Sequence, residues 1–275
     1  MNSFIVPIDF SETSHHAARF AAHLTSQVQR AHIVLYHVFD PIEAGSDGTP
    51  LESDDEDRKK IMEVALQSVV NELSGITNAK ISCVAEPNSD FVDSLESYVH
   101  RNSIDMIVMG ITGASRVEQI FMGSNTLKVV NRRIAPLIII PPDAQFHSAK
   151  NIMLITDFKD IDKTMPIAPI KQVLNLFKAN LHVVNVDSEH YVELTDEYKK
   201  ERAKLDEMIK EYNPEYYFIR MFDFVDAINQ FVKDRNIDII LTVPKEHSVF
   251  SYVFKTTHTS KLAYHSHVPI IAIHS

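Results

Sequence analysis

The chain has 275 residues, 45% apolar and 23% charged, with a net charge of −10. That is the make-up of a folded globular protein, and the acidic balance leaves no electrostatic footprint for nucleic acid or for an anionic membrane surface. No apolar run approaches the ~20 residues that span a bilayer. No basic-then-apolar start marks a secretion signal, and the single cysteine, Cys83, excludes an intrachain disulfide and fits a reducing compartment. A cytoplasmic location is therefore expected.

Phe4–Ile8 is a short apolar run closed by Asp9-Phe10-Ser11-Glu12, which is turn and cap chemistry. Ala17, Ala18, Ala21, Ala22 and Leu24 then recur at helical spacing. His32–Val38 reads as a second buried strand. Pro41–Asp57 is acidic, holds two glycines and two prolines, and reads as a mobile loop. Its acidic end, Asp54-Asp55-Glu56-Asp57, reads as a solvated loop-to-helix start and not as a cation site. Arg58–Leu73 is expected to be a helix, and Lys80–Ala85 a strand that holds Cys83 as a packed residue. Phe91–His100 follows as a helix, Asp105–Met109 as a strand, Ser124–Arg132 as a helix and Pro136–Ile140 as a final strand. Short continuous apolar strands alternating with helices predict a parallel sheet covered on both faces.

The order then recurs. Asn151–Ile155 with Asp157-Phe158 repeats the start at an offset of 148, and Ala179–Val186 repeats Ala31–Val38. Further on the offset falls to 133. There Asp90-Phe91-Val92-Asp93 answers to Asp223-Phe224-Val225-Asp226, and Ile104-Asp105-Met106-Ile107 to Ile237-Asp238-Ile239-Ile240. The second copy is thus shorter by about 15 residues, a loss assigned to the Pro41–Asp57 loop. A period of this length predicts tandem domains, here residues 1–142 and 150–275 joined by a linker at 143–149. The expected fold class is α/β: two Rossmann-like domains, each a five-stranded, mainly parallel sheet with helices on both faces. Leu137–Ile140 and Ile270–Ile273 are apolar edge candidates, and unpaired edges invite pairing.

All six glycines lie at or before position 123. Met109-Gly110-Ile111-Thr112-Gly113, nine further residues, then Gly123-Ser124-Asn125 follow a strand and lead into a helix. Glycine lets backbone N–H groups approach a ligand, and a helix start offers unpaired N–H groups and positive dipole, which suits phosphate. Ser124 and Asn125 cap the helix, bind phosphate, or do both. In a doubly wound sheet the ligand crevice lies beyond the carboxyl ends of the strands, where Asp9, Val38 and Gly110 all fall. For Asp9 a helix-capping role is an equal reading. In the second copy Val243, Glu246 and Thr256 replace Gly110, Gly113 and Gly123, and Pro244 removes a donor. Lys245 and His247 flank Glu246. One phosphate-bearing ligand per chain is the expected stoichiometry.

Gly-x2-Gly-x9-Gly-Ser after the fourth strand resembles the nucleotide loop of the universal stress protein family. The match includes the first strand ending in Pro7-Ile8-Asp9-Phe10-Ser11 and the second in Leu35-Tyr36-His37-Val38. The resemblance implies the adenine nucleotide α-hydrolase-like version of the fold. It puts Asp9 near the ribose or adenine and the Val38 main chain on the adenine. The backbone of Gly110, Gly113, Gly123 and Ser124 goes around ribose and phosphates. Asn125 stands where the family has a small or β-branched residue, and Arg116 is either a phosphate contact or a solvated side chain. The implied ligand is ATP, or AMP or ADP, with Mg2+ as an optional companion. The implied role is a stress-response or regulatory switch acting on an unknown protein partner. Dimerisation through the last strand, common in the family, implies an internal pseudo-dimer here, with a homodimer as a further option.

No base with an orienting partner accompanies the loop, so no catalytic residue is assigned and any ATPase activity is expected to be slow. The alternative is a scaffold or interaction module of the same fold that binds no nucleotide. His258, His265, His267 and His274 lack an accompanying cysteine or carboxylate cluster, and read as packed or solvated and not as a metal site.

Overall fold

A computed structural model of the chain describes residues 2–41, 52–111, 123–187, 195–220, 223–244 and 267–274. The chain divides into two compact units, one of residues 1–110 with 124–135, the other of 111–123 with 136–275.

Unit one runs β1 (Asn2–Pro7), α1 (Glu12–Thr25), β2 (Ala31–Phe39), α2 (Glu52–Leu73), β3 (Lys80–Pro87), α3 (Phe91–Asn102), β4 (Met106–Gly110) and α4 (Ser124–Arg132). Its strands lie in the order β3-β2-β1-β4, all parallel. The strands read as unbroken apolar runs because helices cover both faces. Tyr36 and Phe39 point to opposite faces of β2. The Tyr36 ring meets Tyr98 of α3 at 5.0 Å, while Phe39 carries the Arg58 guanidinium of α2 at 5.4 Å. Parallel order brings the carboxyl ends of β2, β1 and β4 to one edge, and that edge positions the candidate site.

Helix α2 begins at Glu52, six residues earlier than the sequence suggests. Asp55, Glu56 and Asp57 belong to its first turns, where carboxylates favourably meet the helix dipole. Residues 42–51 of the expected loop lie outside the described residues.

Unit two contains β5 (Leu137–Ile140), β6 (Asn151–Ile155), α5 (Ile161–Thr164), α6 (Ile167–Phe177), β7 (Asn180–Asp187), α7 (Asp196–Ile209), a 3-10 turn (Lys210–Tyr212), β8 (Glu215–Arg220), α8 (Phe224–Arg235), β9 (Ile239–Thr242) and β10 (Ile270–Ala272). The strand order is β5-β10-β9-β6-β7-β8. All pairs are parallel except β5 with β10, which run antiparallel with Ile138 opposite Ile271.

The repeat is visible in the registers. Leu35 lies opposite Cys83 and His37 opposite Ala85 in unit one; Val183 lies opposite Tyr216 and Asn185 opposite Phe218 in unit two. An aspartate before the fourth strand stitches each copy in the same way. Asp105 Oδ2 accepts from the Ser3 N–H at 2.8 Å, and Asp238 Oδ2 from the Lys150 and Asn151 N–H groups at 2.8 and 2.9 Å. Two departures stand out. Helix α7 has 14 residues against 22 in α2, so the shortening takes helix as well as loop. The counterpart of α1 is broken at Met165-Pro166, because proline cannot donate to the preceding turn. Among the described residues no helix is long and apolar enough to cross a membrane.

His182 of β7 is 7% exposed, and neither ring nitrogen has a hydrogen-bond partner. The rings of Tyr217 and Phe231 enclose it at 5.7 and 6.3 Å, with the Glu215 carboxylate 3.8 Å from Nδ1. Burial pushes its pKa below the usual histidine value; Glu215 opposes the shift and Arg235 adds to it. The unfolded chain therefore takes up this proton first, near pH ~6.5, and stability is lost as pH falls through and below that value. The thermal midpoint is expected to drop more steeply between pH 7.5 and 5 in wild type than in His182→Leu. Parallel slopes would remove His182 from the acid response.

Candidate functional site

At the end of β1 the chain turns sharply into α1. Ile8 donates its N–H to Tyr36 O at 2.8 Å, which holds the strand end to β2. Asp9 is exposed, and its Oδ1 accepts from both the Ser11 N–H, at 3.0 Å, and the Ser11 hydroxyl. Ser11 in turn caps α1 by accepting from the Ser14 N–H at 3.2 Å. The helix cap is thus Ser11, and Asp9 braces it from outside. Burial pushes the Asp9 carboxyl up, but hydrogen bonds from the Ser11 side chain and backbone and from Ser14 outweigh that and hold it below the ordinary aspartate value. A fixed negative charge stands at the strand edge.

Gly110, the last residue of β4, meets α1. A Cβ there would lie 2.6 Å from Thr13 Cγ2 and 2.9 Å from Thr13 O. The first of the loop glycines is thus required by the close approach of the helix, whatever else it does. Its carbonyl accepts the Thr126 hydroxyl at 3.1 Å, which ties the start of α4 to the end of β4. Thr126 is buried, and the two residues before it, Ser124 and Asn125, are exposed on the first turn of α4. Gly123 immediately precedes that helix and is half-buried. Val38 is half-buried near the end of β2. Gly113 and Arg116 lie outside the described residues.

Beside Asp9, Phe10 adopts the left-handed conformation at φ 61°. Its ring lies 4.9 Å from the His37 imidazole, which itself stacks on Phe39 at 6.4 Å. His37 Nδ1 and Ile8 O are 2.7 Å apart. A carbonyl oxygen only accepts, so Nδ1 carries the proton and Nε2 is the nitrogen that can accept in the neutral ring. Arg58 spans from α2 to donate to Asp40 O at 2.8 Å. Thr13, Thr126, Phe10 and His37 are the residues at this edge to which sequence reasoning gives no role of their own. The signals were a hydroxyl two residues past Ser124 and an aromatic directly after Asp9.

In unit two Asp157 Oδ1 accepts the Lys159 N–H at 3.2 Å, as Asp9 does from Ser11. Asn185 Nδ2 donates to Thr156 O at 2.9 Å, the counterpart of the His37–Ile8 bond. Val243, in the place of Gly110, is only 4% exposed, and Pro244 follows it. Lys245, Glu246, His247, Thr256, His258 and His265 lie outside the described residues.

The sequence model of the universal stress protein family matches residues 1–141. The chain belongs to that family. It is similar over 99% of its length to a universal stress protein from Archaeoglobus fulgidus DSM 4304, with 20% identity, 98% of that chain covered and a TM-score of 0.69. It is also similar over its full length to a functionally unknown protein from Pseudomonas aeruginosa PAO1, with 12% identity, 92% of that chain covered and a TM-score of 0.61. These likenesses extend the shared fold across both copies. No curated protein matches the chain.

Gly110→Ala is expected to cost about 1–3 kcal/mol by overpacking against Thr13. Adding Thr13→Ala should recover only part, because the Thr13 carbonyl oxygen stays in place. Urea midpoints of the two single variants and the double variant measure this. An unchanged midpoint for Gly110→Ala would contradict the close approach.

Proposed function

We propose that the chain is a nucleotide-binding universal stress protein that holds one adenine nucleotide at the strand edge of its first copy. ATP, AMP and ADP are the candidate forms, and the bound nucleotide biases a conformation or a protein partner in a stress or regulatory response. The observation that carries this reading is the Thr126–Gly110 bond. It brings an exposed helix start, with Ser124 and Asn125 on its first turn, to the carboxyl end of β4, where free N–H groups and helix dipole favour phosphate. Asp9, charged and exposed on the same edge, is an acceptor only, which suits the hydroxyls of a ribose or an exocyclic amine.

Among the described residues no group of three or more histidine, cysteine or acidic side chains is placed to hold a metal. Mg2+ would therefore arrive with the phosphates and be held mainly by them. No catalytic role is assigned to any residue of the edge, and turnover of a bound nucleotide is expected to be slow at most. Val243 occupies the position of Gly110 in the second copy, which supports one nucleotide per chain and a packing or scaffold role for that copy. A cytoplasmic location and an internal pseudo-dimer through the last strands belong to the same proposal; the antiparallel β5–β10 pair supports the latter.

Calorimetric titration with Mg-ATP is expected to give one site per chain. Gly123→Thr, which copies Thr256 of the second copy, should weaken binding at least tenfold without unfolding the protein. Gly110→Val is a poorer probe, since it disturbs α1 directly. No binding at millimolar Mg-ATP would replace this reading with the scaffold.

A further inference from the structure

A large aromatic side chain held in a left-handed backbone conformation is disfavoured, and such residues cluster where something outside the fold uses them. Two lie among the described residues, at equivalent positions, Phe10 at φ 61° and Phe158 at φ 50°. Their surroundings differ. Phe158 is 3% exposed, roofed by Tyr198 of α7 at 4.8 Å and by Tyr216 of β8 at 6.4 Å. Burial of the ring repays the backbone cost there. Phe10 is 36% exposed. The strand position that supplies Tyr216 in unit two supplies Cys83 in unit one, and the next position on that face supplies Ala85 in place of Phe218. Among the described residues no aromatic ring of β3 covers Phe10.

What holds Phe10 is underneath it. The His37 ring lies 4.9 Å away, oriented by its bond to Ile8 O and backed by Phe39 at 6.4 Å, with the Arg58 guanidinium over Phe39. In unit two Asn185 makes the same bond to a strand-end carbonyl without offering a ring. The column Phe10–His37–Phe39–Arg58 thus supports from below one exposed aromatic ring beside Asp9.

We propose that Phe10 is a stacking platform for the nucleobase and that His37 is the positioning residue that presents it. This rests on the nucleotide reading above and deepens it. Phe10 would contribute through the π-face of a planar base and give nothing to the phosphates. Stacking of a base on an aromatic side chain is worth roughly tenfold or more in affinity.

The test compares Mg-ATP with inorganic tripolyphosphate, which has the phosphates and no base, on wild type, Phe10→Gly and Phe10→Tyr. Glycine accepts φ 61° without strain, so Phe10→Gly should fold with an unchanged or higher thermal midpoint. It is expected to lose about tenfold in ATP affinity and to bind tripolyphosphate as wild type does, while Phe10→Tyr retains wild-type ATP affinity. Equal ATP binding by wild type and Phe10→Gly overturns the platform and leaves the nucleotide site standing. A parallel loss for ATP and tripolyphosphate also overturns it, since the ring would then be shaping the edge and not reading the base. If wild type binds neither ligand, the nucleotide reading falls and the platform with it.

Discussion

The close approach of α1 to the end of β4 is the constraint on which the rest of the first copy depends. Thr13 leaves no room for a Cβ at Gly110, so β4 can end there only in glycine. With the helix seated that way, the Gly110 carbonyl points where the Thr126 hydroxyl reaches it, and α4 starts at the strand edge. The second copy differs at both points: Val243 is buried at the position of Gly110, and the helix after β6 is broken at Met165-Pro166.

That geometry also sorts charge. The α4 start offers donors and the positive end of a dipole, while Asp9 offers only acceptors, held ionised by Ser11 and Ser14 against the opposing effect of burial. A ligand that suits both ends carries anionic groups at one end and hydroxyl or amino donors at the other. A nucleotide has that polarity, whereas a bare phosphate or an uncharged sugar matches only half of the edge. The asymmetry therefore argues for a composite ligand with a defined direction along the edge.

Much of the architecture was legible in the sequence, because local pattern and burial agree there. Of the apolar run Phe4–Ile8 all but Ile8 lies in a strand, His32–Val38 lies in another, and Ser124–Arg132 is a helix with the bounds expected of it. What the pattern missed depends on partners distant in the chain. The acidic stretch that reads as a loop-to-helix start lies inside α2, which begins at Glu52. The break of the helix after β6 at Met165-Pro166 has no counterpart in α1 of the first copy. Gly110 was the least decidable: close approach to a ligand and close approach to Thr13 leave the same mark on the sequence. Only the carbon position that a Cβ would occupy separates them.

The two copies keep the same backbone devices. Each has a left-handed phenylalanine after the first strand, a side chain donating to the strand-end carbonyl, and an aspartate stitching the fourth strand to the first. Differences at the edge are differences of volume laid over that shared frame. Where unit one has Cys83, Ala85 and Gly110, unit two has Tyr216, Phe218 and Val243. All three changes add side-chain volume to the second copy, and the ring of Phe158 is buried in the result. A packed interior tolerates little empty space, so an edge lined by the larger residues closes on itself and one lined by the smaller leaves its phenylalanine uncovered. Openness at the first edge is thus a property of side-chain size, set at Cys83 and Ala85 outside the glycine loop as well as at Gly110. The two features coincide in one copy of the chain, as expected if both serve one ligand.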